Sequence, residues 1–215
     1  MAEGAPRGKF IVFEGLDCSG SSTQAALLAD RLICAGSKVY LTSEPSSGPV
    51  GMLIRLYFSG RMVLPPDRET ADRQFAYLFA ADRFDHLYNP TNGVLKHLEE
   101  GTDVISTRYV LSSLAYHVES EEEESFVWDL NSRFPSPDHL IFLDCPVELS
   151  LSRIAASRAN RETYEHGPKL ERVHQNYQRL LKKYAGSKLV VDAALPKEEI
   201  ADRVFGYVRT GGRPL

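Results

Sequence analysis

Residues 10–23 read FIVFEGLDCSGSST, and the order of their parts decides the fold. Phe10, Ile11, Val12 and Phe13 run apolar without alternation, as in a parallel strand covered by helices on both faces. Gly15 breaks the strand. Gly20 follows, then Ser21, Ser22 and Thr23, and residues 22–34 carry a helical stripe through Ala26, Leu27, Ala29 and Leu32, with Gly36 as a stop. Strand, glycine-bounded loop and helix together have the outline of a P-loop. Its glycines let backbone N–H groups wrap inward toward phosphate oxygens, the helix N-terminus adds its positive end, and a hydroxyl binds Mg2+. The candidate nucleotide-binding residues are Gly15, Cys18, Ser19, Gly20, Ser21, Ser22 and Thr23, with Ser22 as the metal ligand. Ser21 stands where such loops carry a lysine, which removes a full charge from the outer phosphates. Alone, the segment also reads as a Gly/Ser-rich turn without a ligand.

Outward from this segment, β-rich apolar runs recur at 9–14, 38–42, 103–107, 139–144 and 188–192, separated by stretches of helical spacing. This rhythm implies an α/β, P-loop NTPase-like three-layer fold: five parallel strands, helices on both faces, and a binding crevice at the carboxyl ends of the strands. Residues 67–98 read as mostly helical with a break at Asn89-Pro90. Helices at 149–157 and 170–184 flank a charged excursion. The acidic run Glu121 to Glu124 reads as a solvated helix start.

The length of 215 residues, 43% hydrophobic, suits one domain spanning 1–215, with ends expected to fray at 1–8 and 210–215. A net charge of -4 argues against a surface that coats nucleic acid or an anionic membrane, and no apolar stretch is long enough to span one. Cys18, Cys34 and Cys145 offer no C-x-x-C pair, so free thiols and a cytoplasmic protein are expected. Histidines at 86, 97, 117, 139, 166 and 174 show no metal-ligand spacing.

Other segments point to a nucleotide. Ser43-Glu44-Pro45 leads into a Ser/Gly/Pro loop that opens a helix. Phe79 and Arg83, four apart on one helical face, pair a ring that stacks on a base with a guanidinium that grips a phosphate; standing alone they would read as a core Phe beside a surface Arg. Thr107-Arg108-Tyr109 ends a strand at the crevice, and Ser113 and Tyr116 share a face of the next helix.

In this order the motifs EGLDCSGSSTQ, SEP, LFAADR, TRY with SSLAY, PDHLIFLDCP and NRETYE resemble the thymidylate kinase family, over about residues 9–184. The resemblance implies transfer of the γ-phosphoryl group of Mg-ATP to dTMP, giving dTDP and ADP on the route to dTTP, by a cytoplasmic homodimer. It places Phe79 on thymine, Arg83 and Arg108 on the dTMP phosphate, and Ser113 near the base edge. Tyr116 would crowd the 2' position, and Asp17 would lie near the 3'-hydroxyl and the reacting phosphates. It makes residues 153–169 a lid whose Arg153, Arg158 and Arg161 fold over the ATP phosphates. The catalytic candidates are thus Asp17, Arg108, Arg158 and Arg161. The chain departs from the family at Ser21 and at Thr107, where an aspartate is usual. Two other readings stay open: another nucleotide or nucleoside kinase of this fold, and a catalytically silent nucleotide-binding protein.

Overall fold

In the computed structural model, which describes residues 6–156 and 167–212, the apolar run at 10–13 is the middle strand of one five-stranded sheet. The strands are β1 (Phe10–Gly15), β2 (Val39–Ser43), β3 (Asp103–Thr107), β4 (His139–Asp144) and β5 (Lys188–Asp192). They lie in the order β2-β3-β1-β4-β5, and every neighbouring pair is parallel. All five expected strands are present within one residue of their expected bounds.

Successive side chains of β1 feed two cores, which is why its apolar residues do not alternate with polar ones. Ile11 and Phe13 pack with Ala25, Leu28 and Leu32 of α1 (Ser21–Cys34) and with Ile200, Val204 and Tyr207 of α9 (Lys197–Arg209). Phe10 and Val12 pack into the opposite core. That core also takes residues from α2 (Pro49–Phe58), α3 (Arg68–Tyr88), α4 (Val94–Glu99), α5 (Val110–Tyr116), α6 (Glu121–Asn131), α7 (Val147–Ala156) and α8 (Gly167–Lys183).

The break expected at Asn89-Pro90 separates α3 from α4. The acidic run opens α6, where Ser120 and Glu123 form a reciprocal capping box. At the amino end, Gly8 donates to Leu98 O at 2.8 Å, and a Cβ on it would meet Thr102 O at 2.0 Å, so the chain is already fixed before β1. Of the expected lid, residues 153–156 close α7 and 167–169 open α8; Arg158 and Arg161 lie outside the described residues. All three cysteines are free. Among the described residues no helix is long and apolar enough to cross a membrane.

Candidate active site

The carboxyl ends of β1, β2 and β3 open into two adjoining cavities. The larger, about 690 Å3, is lined by residues 16–24, by Ser43, Glu44 and Pro45 at the end of β2, and by Thr107 and Arg108 at the end of β3. Gly20, at φ 103°, is the N-cap of α1 and provides no side-chain cap, so the first-turn N–H groups remain for an anion. Gly15 turns the chain out of the sheet where a Cβ would stand 2.9 Å from Leu143 O. Cys18 takes the left-handed conformation without being glycine, at φ 55°. The loop expected from sequence is therefore a cradle whose backbone can hold phosphate.

Ser21, in the lysine position, shares a hydrogen bond with Ser19 Oγ at 3.0 Å and brings no charge. Cations enter the wall from elsewhere: Arg55, Arg108, Arg153 and Lys197. Arg55 donates to Pro45 O at 2.5 Å, beside the cis Glu44–Pro45 bond. Arg153 is committed to carbonyls, with Nη1 on Ser19 O at 3.2 Å and Nη2 on Ala193 O at 2.9 Å. It braces the back of the loop.

Ser22 is exposed on the wall of this cavity. The cavity's two acids, Asp17 and Glu44, are ion-paired with Arg108 and Arg83, and Thr107 is uncharged. With both acids taken, the wall has hydroxyls to offer, Ser22 among them, so a Mg2+ ion held mainly by phosphate oxygens and water would fit here. Among the described residues no group of three or more His, Cys, Asp or Glu could hold a metal by itself.

The smaller cavity, about 70 Å3, shares Asp17, Glu44 and Arg108 with the larger and adds Phe79, Arg83, Ser112, Ser113, Tyr116 and His117. Every acceptor residue expected from sequence lines it. Arg108 Nη2 donates to Asp17 and, at 3.3 Å, to Tyr116 OH, and its guanidinium lies 4.9 Å from the Tyr116 ring centre. Burial opposes the Arg108 charge, but Tyr116 and Asp17 outweigh it and hold its pKa above the ordinary arginine value. Burial likewise keeps the Tyr116 phenol protonated. Arg83 is 1% exposed, and its donors go to Glu44 at 2.6 and 2.9 Å, to Asn131 and to Ser113 Oγ at 3.2 Å. Its fork is spent within the protein.

Sequence reading did not single out Arg55 or His117. The His117 ring lies 5.4 Å from that of Phe79, and burial, opposed by Asp72, lowers its pKa and keeps it neutral. A third cavity, about 840 Å3, lies between α6 and α8; it holds none of the phosphate-loop residues and so stands apart from this chemistry.

A family profile described as thymidylate kinase matches residues 13–204. The chain is 36% identical over 204 residues to a protein of Pyrococcus abyssi described as a probable thymidylate kinase, covering 94% of this chain and 97% of that one. It is also 36% identical over 200 residues to one of Pyrobaculum aerophilum with the same description, covering 93% and 96%. A solved thymidylate kinase structure from Candida albicans shares the fold, with a TM-score of 0.77 over 95% of this chain and 92% of that chain at 24% identity. The chain belongs to the thymidylate kinase family.

Proposed function

We infer that the chain transfers the γ-phosphoryl group of ATP to dTMP, giving ADP and dTDP. One observation carries this reading: the phosphate cradle at 15–23 and the cavity holding Phe79, Ser113 and Tyr116 meet at Asp17 and Arg108. A donor phosphate on the first and an acceptor phosphate beside the second would face each other there. An oxygen of the dTMP phosphate attacks the γ-phosphorus, and the bond to the β–γ bridging oxygen breaks as ADP leaves. Catalysis is then positioning and charge stabilisation, with no covalent enzyme intermediate.

Arg108 is assigned to the acceptor phosphate, together with Arg55, which stands in the adjoining wall. Arg83 is assigned to the floor of the base site through Glu44 and Ser113, instead of to the phosphate. Phe79 stacks on thymine, and Tyr116 excludes a 2'-hydroxyl. Ser22 ligates Mg2+, which neutralises charge on the donor phosphates when bound. For Arg158 and Arg161 the role over the γ-phosphate rests on the resemblance alone. A cavity of about 70 Å3 is smaller than a nucleotide, so dTMP entry displaces the Asp17–Arg108 pair. We place this reaction in the cytoplasm and read the chain as a homodimer. Exposed Phe84 and Tyr88 on α3 and Met52 and Leu56 on α2 supply the apolar surface, while Leu111 and Leu114 of α5 are buried.

Product analysis after incubating the chain with Mg-ATP and, separately, dTMP, dUMP and UMP tests the reading. dTDP as the dominant product is expected. UMP phosphorylated as well as dTMP would overturn the role of Tyr116, and nucleotide binding without any product would favour the silent binder that Ser21 and Thr107 suggest.

A further inference from the structure

Glu14 is the one acid in the six residues of β1, and it is fully buried. A carboxylate there is costly unless several donors meet it. Its Oε1 accepts from Tyr109 N at 2.9 Å and Ser112 N at 3.2 Å, and its Oε2 accepts from Ser112 Oγ at 2.6 Å and Tyr177 OH at 2.9 Å. Tyr109 is the N-cap of α5 and has no side-chain cap of its own. The carboxylate from the neighbouring strand therefore takes the N–H of the N-cap residue and the N–H of the third helical residue, which a capping side chain ordinarily satisfies. Arg108, one residue earlier, sits at φ 70°, a conformation that L residues rarely adopt. Its N–H is held by Phe13 O at 2.7 Å and its carbonyl by Ser106 Oγ at 3.1 Å. Ser113 and Tyr116 ride on the capped helix.

We propose that Glu14 is a positioning residue for the acceptor site: by capping α5 across the sheet it fixes Arg108, Ser113 and Tyr116 relative to the phosphate loop that begins at the next residue, Gly15. It touches neither substrate. The proposal rests on the acceptor-site reading above. Its chemistry makes a specific demand. A glutamine can accept both backbone N–H groups at Oε1 and donate from Nε2 to the two hydroxyls, which reverse their roles, whereas a leucine fills the space and accepts nothing. A role through charge on Arg108, or through proton transfer, would leave glutamine as damaging as leucine.

The test is steady-state kinetics of the wild type, Glu14→Gln, Glu14→Leu and Arg108→Ala, with dTMP and ATP varied separately. Glu14→Leu is expected to raise the KM for dTMP by at least about tenfold with the KM for ATP within about twofold, and Glu14→Gln to stay within about threefold of wild type for both. A normal dTMP KM in Glu14→Leu beside a damaged Arg108→Ala overturns the role of Glu14 alone, as do equal losses for the two substrates in Glu14→Leu. Whether or not the leucine variant folds, a dTMP KM raised about tenfold in Glu14→Gln overturns the cap. An Arg108→Ala chain with normal dTMP kinetics overturns instead the acceptor-site reading beneath it.

Discussion

Arg83 and Glu44 form an ion pair in which each side chain is 1% exposed. The pair joins α3 to the segment after β2, and through Ser113 and Asn131 it also reaches α5 and α6. Removing the arginine would leave a carboxylate buried beside His86, whose Nδ1 lies 3.4 Å away. Arg83→Ala should therefore act first on stability, costing about 3–5 kcal/mol as expected for an orphaned buried charge. Urea unfolding checks this, and Arg83→Ala with Glu44→Gln should recover part of the loss. A stable Arg83→Ala chain that merely binds dTMP poorly would return Arg83 to the phosphate.

Phe79 lines the smaller cavity, and its ring makes tilted contacts with Phe58, Phe75 and His117 at 5.4 to 6.4 Å. Phe79→Ala should weaken dTMP binding by about 1–3 kcal/mol through lost stacking, with ATP affinity little changed. Calorimetric titration of each ligand measures both. Unchanged dTMP affinity would mark Phe79 as a core residue.

The strands and the phosphate loop were legible because their signals are local: consecutive apolar residues, then glycines at fixed offsets. The partner of Arg83 was not, because Glu44 lies 39 residues away and meets it only when α3 packs beside β2. Its four-residue spacing from Phe79 put both side chains on one cavity but could not say where the fork would be spent. Arg55 is hidden for the same reason, since the turn at Pro45 brings it into the wall. Helix α9 carries a legible signal in the helical stripe Ile200, Ala201, Val204, Tyr207 and Val208, which is buried against the sheet. A lone acid in an apolar strand was the visible mark of Glu14.

A second charge cluster ties the first turn of α8 to α3. Lys169 Nζ lies 3.5 Å from Asp72 Oδ1, with Arg68, Arg172 and His117 around them. Burial pulls the Lys169 pKa from 10.5 down to about 8, against the attraction of Asp72. Between these values the unfolded chain holds a proton on Lys169 that the folded chain has released, so this group makes stability rise as pH increases from about 8 to 10.5. Denaturation midpoints across that range should climb more steeply in the wild type than in Lys169→Met. Parallel curves would show that the lysine titrates normally.

Tyr77, Phe84 and Tyr88 are exposed on α3, the last two in contact with their rings tilted at 38° and ring centres 4.9 Å apart. Spacings of seven and four residues put them on one face of the helix, a surface too apolar to face water without reason. Phe84→Glu is expected to convert a dimer to a monomer in sedimentation while leaving the thermal midpoint within a few degrees. An unchanged sedimentation coefficient would move the interface elsewhere.

Ser21 and Thr107 line one cavity, at the two positions where the resemblance leads one to expect a lysine and an aspartate. Four cations already stand in its wall, while Asp17 and Glu44 are ion-paired. A lysine added alone would increase an existing positive excess and compete with Mg2+ for the donor phosphates. A carboxylate added alone would compete with those phosphates for the cations. Ser21→Lys and Thr107→Asp should each lower turnover or leave it unchanged, whereas the double variant should exceed the better single one by at least about threefold. Such non-additivity is the signature of two residues acting on one another. Turnover with ATP and dTMP in the four chains decides it. Additive effects would show that the two substitutions are independent, and a Ser21→Lys chain faster than wild type by itself would show that the loop's missing charge was never replaced.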